Sequence, residues 1–225
     1  MAGDEQMIRK GFTKFDDFMD IRFTTEHLEY LRLQRGALHD LGQDSAAWGA
    51  AYRHDLIKDF TSMRMLLPRT CQQFLSVGSG LGGLEILLWR HYLGERGGTE
   101  AWLLDGKDDM SEVVQHNKTF NSEEVTRSFW KHNEAVIGGY IDAACYDQQP
   151  WPMFDFVVST KSWCFHYEPR AYLDFVAEHT RRGAIMIIDL RTGKSDWTHQ
   201  LEEFFKPMVV LRQDRKSNRF AWRRR

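Results

Sequence analysis

Four glycines crowd the stretch "VGSGLGG" (77–83): Gly78, Gly80, Gly82 and Gly83. They end the apolar run "QQFLSV" (72–77) and open the amphipathic segment "LEILLWRHY" (84–92). A backbone without Cβ atoms can turn through positive φ and let a ligand approach closely, and the helix that follows aims its unpaired N–H groups at that ligand. Asp105 ends the apolar run "EAWLLD" (100–105), 22 residues after Gly83. A carboxylate there is placed to accept hydrogen bonds from ribose hydroxyls. A nucleoside-bearing cofactor is therefore expected. The glycines fit both GxGxG and GxGxxG, which leaves a dinucleotide and S-adenosylmethionine as alternatives.

A second group lies in "STKSWCFHY" (159–167), read as a loop leaving the strand "FDFVVS" (154–159) beside the cofactor. It holds Lys161, Ser162, Trp163, His166 and Tyr167 together. His166 is the candidate general base, because an imidazole titrates near neutrality. Trp163 and Tyr167 are candidates for holding the acceptor, and Lys161 for neutralising an anionic substrate. Asp189, closing the strand-like "IMIID", is a second base or an orienting residue. His39-Asp40 and His54-Asp55 read as polar helix faces. No histidine or cysteine cluster has metal-ligand spacing, and no metal is expected.

These residues need a frame. Residues 1–70 read as a helical extension, with helices over 24–41 and from Ser45 to Pro68. Within the second, Trp48, Tyr52, Leu56, Phe60, Met63 and Leu67 recur at helical spacing. Residues 71–225 read as one domain. Buried strands at 72–77, 100–105, 154–159 and 184–190 alternate with helices near 81–93, 109–132 and 169–181, and a further strand lies within 135–147. Such alternation means a doubly wound, mostly parallel α/β sheet. "MVVLRQ" (208–213) and "RFAWRR" (219–224) form a closing antiparallel hairpin.

The bulk numbers restrict the function. The 225 residues carry a net charge of −2, with 42% hydrophobic and 28% charged residues. This describes an ordinary globular chain with no global field toward nucleic acid or membrane. Seven Lys/Arg against one Asp between Arg212 and Arg225 read as a solvated tail, with a phosphate-binding patch as the lesser reading. Three scattered cysteines and an N-terminus without an apolar core point to the cytoplasm.

Three features favour the methyl donor. Only about 140 residues follow the glycine loop, too few for a second, substrate-binding domain for hydride transfer. The "FDFVVS" strand ends in small polar residues, and the sheet closes with an antiparallel hairpin. Residues 74–225 resemble class I S-adenosylmethionine-dependent methyltransferases, and more narrowly small bacterial and phage sugar O-methyltransferases. The resemblance is carried by "VGSGLGG" (77–83), "WLLDGKD" (102–108), "FDFVVSTKSWCFHYEPRAYLDF" (154–175) and "GAIMIIDLRTG" (183–193). It implies a seven-stranded sheet and cofactor contacts at Ser76, Gly78, Ser79, Gly80, Gly82, Asp105, Gly106, Ser159 and Thr160. Ser76 stands where that family commonly has an acid. The function implied is methyl transfer to a small-molecule hydroxyl, such as that of a sugar. Residues 20–67 are expected to lie over the cofactor, with Tyr52, Arg53 and His54 contributing to the acceptor pocket. No N/D-P-P-aromatic motif or Pro-Cys nucleophile follows the fourth strand, which argues against methylation of nucleic-acid bases. An NAD-dependent oxidoreductase, or a non-catalytic or nucleic-acid-associated cofactor-binding protein, is the alternative.

Overall fold

The computed structural model describes residues 18–42, 44–93, 98–106, 121–148 and 150–225. Helix α1 (Thr25–Gln34) is capped by Thr24, whose hydroxyl accepts the His27 N–H while His27 Nδ1 accepts the Thr24 N–H. Two donors that a helix start leaves open are thereby satisfied. The helix stops before Gly36, and Gly36–Leu41 is a 3-10 turn rather than the continuing helix expected there. Asp44 caps α2 (Ser45–Met63) by accepting the Ala46 and Ala47 N–H groups. A 3-10 turn, Arg64–Leu66, follows α2, and Leu67 is extended (φ −60°, ψ 137°), as steric conflict with Pro68 requires.

Among the described residues, eight strands and four more helices follow: β1 (Gln73–Val77), α3 (Gly83–Tyr92), β2 (Glu100–Asp105), α4 (Glu123–His132), β3 (Ile137–Asp142), β4 (Phe154–Ser159), β5 (Ser162–Tyr167), α5 (Leu173–Glu178), β6 (Thr180–Arg191), α6 (Ser195–Glu202), β7 (Phe205–Gln213) and β8 (Ser217–Arg224). Seven strands form one sheet in the order β3-β2-β1-β4-β6-β8-β7. β3, β2, β1, β4 and β6 are mutually parallel, and β8 is antiparallel to both β6 and β7. The expected sheet and its closing hairpin are both present. The strand order reverses between β1 and β4, which opens a crevice at their carboxyl ends.

Two readings change. The helix expected over 169–181 is a 3-10 turn, Pro169–Ala171, and the short α5; β6 already begins at Thr180, which pairs with Phe154. The segment read as a loop at 159–167 contains strand β5. Lys161 takes φ +57° to turn the chain, and a run of aromatic residues then favours extended backbone. Of the helix expected over 109–132, residues 109–120 lie outside the described residues.

Side chains alternate between the two sheet faces, as strand geometry demands. Phe74, Leu103, Phe156, Val158, Ile187 and Ala221 pack against α1 to α4. Leu75, Leu104, Val157, Met186, Ile188 and Trp222 pack with Trp163 and against α5 and α6. The N-terminal helices share one apolar core with the sheet.

Candidate active site

The glycine loop joins β1 to α3 with Gly78, Gly80 and Gly82 at φ +75°, +57° and +80°. Two of these glycines serve the protein's own packing. A Cβ on Gly78 would fall 1.7 Å from Ser162 Oγ, and one on Gly82 would fall 2.4 Å from Trp130 Nε1. At Gly80 the nearest neighbour is the tip of Gln34 at 3.2 Å.

The loop's N–H groups are also engaged. Gly78 donates to the Leu104 carbonyl (2.7 Å), Gly82 to the Ser79 carbonyl (3.0 Å) and Gly80 to Asp105 Oδ2 (2.7 Å). Asp105 Oδ1 in turn accepts the Gly106 N–H at 2.8 Å. The carboxylate at the end of β2 therefore caps the loop where an anionic ligand would otherwise sit. Asn121 fixes the other side: its Nδ2 donates to the Gly80 carbonyl (2.8 Å) and to Tyr140 Oη (3.0 Å), and its Oδ1 accepts from Tyr30 and Gln34. Ser79 Oγ is buried and has no partner among the described residues.

Ser76 and Ser159, both expected to touch a cofactor, use their hydroxyls within the protein. Ser159 Oγ donates to the Val77 carbonyl (2.7 Å) and accepts the Trp163 N–H (3.1 Å), tying β1, β4 and β5 together. Ser76 Oγ donates to Glu85 Oε1 at 2.6 Å. Glu85, in the first turn of α3, is buried, and that burial pushes its pKa up to about 7, against the hydrogen bond from Ser76. The sequence reading passed over Glu85. Its signal was a lone acid in an otherwise apolar first turn. Thr160 lies half-buried between Ser159 and Lys161.

The acceptor-side candidates separate. Trp163 is fully buried and its Nε1 donates to the Pro169 carbonyl at 3.0 Å. It is a core residue and offers no face to a substrate. Asp189 is also fully buried and accepts a bidentate pair from Arg219, Nε to Oδ1 at 2.7 Å and Nη2 to Oδ2 at 2.8 Å. Arg219 also reaches Asp59 Oδ1 at 3.0 Å and Ser62 Oγ at 2.8 Å on α2, and Arg212 donates to Asp59 Oδ1 at 2.6 Å. Burial alone would raise the Asp59 pKa. Arg219, Lys161 and Arg212 outweigh it and hold the carboxyl below its usual value. With both carboxylate oxygens taken by one guanidinium and no exposure, Asp189 is closed to a substrate, and through Arg219 it clamps α2 to the sheet. The C-terminal basic run is divided. Arg224 donates to the Ala177 and Phe204 carbonyls, and Arg225 to that of Phe205. Arg215, Lys216, Arg223 and Arg225 are exposed, as a solvated tail requires, while Arg212, Arg219 and Arg224 are drawn into the fold.

His166 and Tyr167 lie exposed at the end of β5. The His166 ring meets Phe165 edge-on at 4.8 Å. Partial burial, then the Arg191 guanidinium, hold its pKa below the ordinary imidazole value, which leaves the ring neutral at pH 7. Lys161 approaches Asp55 on α2 at 3.7 Å, and Asp55 also accepts from Arg35 at 3.0 Å.

The N-terminal helices do reach this end of the sheet, through Tyr52 among the residues expected but not through Arg53 or His54. Gln34 touches Gly80, and Tyr52 and Leu56 pack against Gly83. Arg53 Nε instead donates to the Ile21 carbonyl (2.7 Å), its guanidinium lying over Phe23, and His54 is exposed. Consecutive residues stand about 100° apart on a helix. Tyr52, Asp55, Leu56 and Asp59 share the inward face, and Arg53 and His54 cannot join them.

No protein-family model matches the sequence, and no curated protein matches it. Solved structures do. A protein from Pyrococcus horikoshii OT3 matches with a TM-score of 0.53 and 14% identity, over 75% of this chain and 91% of its own. A methyltransferase from Pyrococcus furiosus matches with a TM-score of 0.52 and 12% identity, over 75% of this chain and 82% of its own. The pyocyanin biosynthetic protein PhzM matches with a TM-score of 0.53 and 13% identity, over 87% of this chain and 61% of its own. The chain has the class I methyltransferase fold. The PhzM match spans more than residues 71–225 alone can account for, and so reaches into the N-terminal helices. Among the described residues, no helix is long and apolar enough to cross a membrane.

Open α/β sheets bind ligands in the crevice where the strand order reverses, which here lies between β1 and β4 beside the glycine loop.

Proposed function

We propose that the protein transfers a methyl group from S-adenosylmethionine to a small-molecule hydroxyl, with a sugar or related metabolite as the acceptor class. The observation that supports the donor is the Asp105 carboxylate on the Gly80 N–H. A dinucleotide needs the loop N–H groups for its pyrophosphate. Here a carboxylate already takes the Gly80 N–H, and two like charges about 4 Å apart repel by ~4 kcal/mol at an effective dielectric of 20. A cationic, phosphate-free donor meets attraction at the same place.

When bound, S-adenosylmethionine supplies an electrophilic methyl on a sulfonium centre. In this reading the chain's residues do the rest. Asp105 accepts the ribose hydroxyls, and Ser79 with the loop backbone of Gly78, Gly80 and Gly82 borders the cofactor, as do Gly106 and Thr160. His166, neutral at pH 7, takes the acceptor's proton at an imidazole nitrogen. Lys161 and Tyr167, flanking the same crevice, orient the acceptor.

A thermal-shift panel tests the donor, since a ligand present at 100 times its Kd stabilises by ~2.7 kcal/mol. S-adenosylmethionine and its demethylated product should raise Tm while NAD(H) leaves it unchanged. The reverse pattern would replace this reading with the oxidoreductase. Transfer of labelled methyl to a panel of neutral and anionic sugars tests the acceptor. Label entering oligonucleotides but no sugar would reject the hydroxyl class.

A further inference from the structure

Glu85 is a buried titratable side chain for which the methyl-transfer chemistry has no use. Its carboxyl is held by Ser76 Oγ at 2.6 Å in the first turn of α3, directly after the glycine loop. The other groups facing it come from two elements, α2 and β2. Tyr52 on α2 stands at Gly83, and burial pushes its own pKa to about 12, which keeps it neutral. Asp59 on α2 is neutralised by Arg212 and Arg219. Asp105 on β2 is capped by the Gly80 and Gly106 N–H groups. No cation faces Glu85 among these. The two acids, Asp105 and Asp59, each disfavour its ionisation. The helix N-terminus favours ionisation, but the burial outweighs it.

We propose that Glu85 is a charge reader beneath the glycine loop, partly protonated in the empty protein and ionised when a sulfonium donor arrives, so that donor binding expels the proton it still carries. This inference rests on the donor assignment proposed above. A positive charge entering the loop favours the carboxylate, and the proton leaves to bulk buffer. Ser76 follows the change, because a serine hydroxyl can donate to the carboxylate or accept from the carboxylic acid. The linkage has a definite sign. The empty-state pKa lies near 7 and the bound-state value lies lower, so affinity is weak at low pH and reaches a plateau above pH 7.

Isothermal titration of S-adenosylmethionine into the full chain, in buffers of differing ionisation enthalpy, counts the protons. The donor's own α-amino group titrates near pH 8, so the difference between wild type and Glu85→Gln carries the result. The expected difference is release of about half a proton at pH 7, with wild-type affinity rising about tenfold from pH 6 to pH 8 and the Gln variant flat. The demethylated product, which lacks the sulfonium charge, should show much less of this linkage. Ser76→Ala removes the bond that favours the carboxylate and should move the affinity rise to higher pH, which provides a second test should Glu85→Gln fail to fold. Donor binding without any proton difference between wild type and Glu85→Gln, or without movement in Ser76→Ala, overturns the charge reader and leaves the donor assignment standing. Absence of any donor binding by wild type overturns both.

Discussion

The two ends of the crevice hold similar residue types and treat them in opposite ways. On the cofactor side, Asp105 is half-buried and accepts the backbone N–H groups of Gly80 and Gly106. On the acceptor side, Asp189 lies near the end of β6, two residues before Arg191, yet it is fully buried and forked by Arg219. Backbone amides neutralise a carboxylate only in part and leave lone pairs for a ligand. A bidentate guanidinium neutralises it fully and consumes both oxygens. An acid near the end of a parallel strand is thus withdrawn from chemistry where a buried guanidinium forks it, as at Asp189.

The largest effect should fall on the acceptor side, at His166. A base within hydrogen-bond reach contributes about 10²- to 10⁴-fold, so His166→Gln should lose that much kcat while binding the donor normally. Because its pKa is lowered, wild-type kcat should rise with pH through a midpoint below 6.5 and then level off, and the variant should lose that dependence. Near-normal turnover in the variant would leave the acceptor side without a base.

Asp189 sharpens the contrast. Removing one partner of a buried ion pair costs about 3–5 kcal/mol, which for a chain of this size lowers Tm by roughly 10 °C. Asp189→Ala should therefore unfold at markedly lower temperature, and Arg219→Ala likewise. Asp59 adds a pH signature. Its native pKa is depressed, so the stability it contributes is present above the unfolded value near 4 and is lost as pH falls through the native one. An Asp189→Ala protein with wild-type Tm and abolished kcat would make this residue catalytic and erase the comparison.

Asp105→Asn should show the opposite profile, a binding defect with modest destabilisation. Hydrogen bonds to a charged group are worth about 1.5–3 kcal/mol, so donor affinity should fall roughly 10- to 100-fold by titration calorimetry. Unchanged affinity would remove Asp105 from the cofactor site.

The smallest effect belongs to the exposed trio of Arg35, Asp55 and Lys161. Their side chains are 30–41% accessible, and exposed pairs contribute about 0.2–1 kcal/mol. Asp55→Asn should shift the denaturant midpoint barely, and less in high salt. A loss comparable to Asp189→Ala would mean the charge network under α2 extends further than its buried part.

The cofactor end was legible because its elements are local. "VGSGLGG" and "EAWLLD" each sit on one strand-to-loop junction, and adjacent parallel strands bring Gly80 and Asp105 together almost automatically. The acceptor end was read less well, for identifiable reasons. Segment 159–167 was read as a loop because Lys161 and its polar neighbours interrupt the apolar pattern, yet the turn takes only the φ +57° at Lys161 before β5 begins. Trp163 and Tyr167 are four residues apart and equally aromatic, but one is fully buried and the other 48% exposed. Tyr52, Arg53 and His54 were grouped by adjacency, whereas a helix groups residues by threes and fours.

Periodicity and glycine spacing by themselves determined the parallel sheet, its closing hairpin and the loop between β1 and α3, since each depends on the conformational preferences of neighbouring residues. Only the tertiary structure decided which charges remain available for chemistry. Asp189 meets Arg219 across 30 positions of sequence, and Arg219 meets the Asp59 carbonyl across 160. A charge has a role only relative to the field around it, and here that field is assembled from the N-terminal helix and the last strand, which only folding brings together.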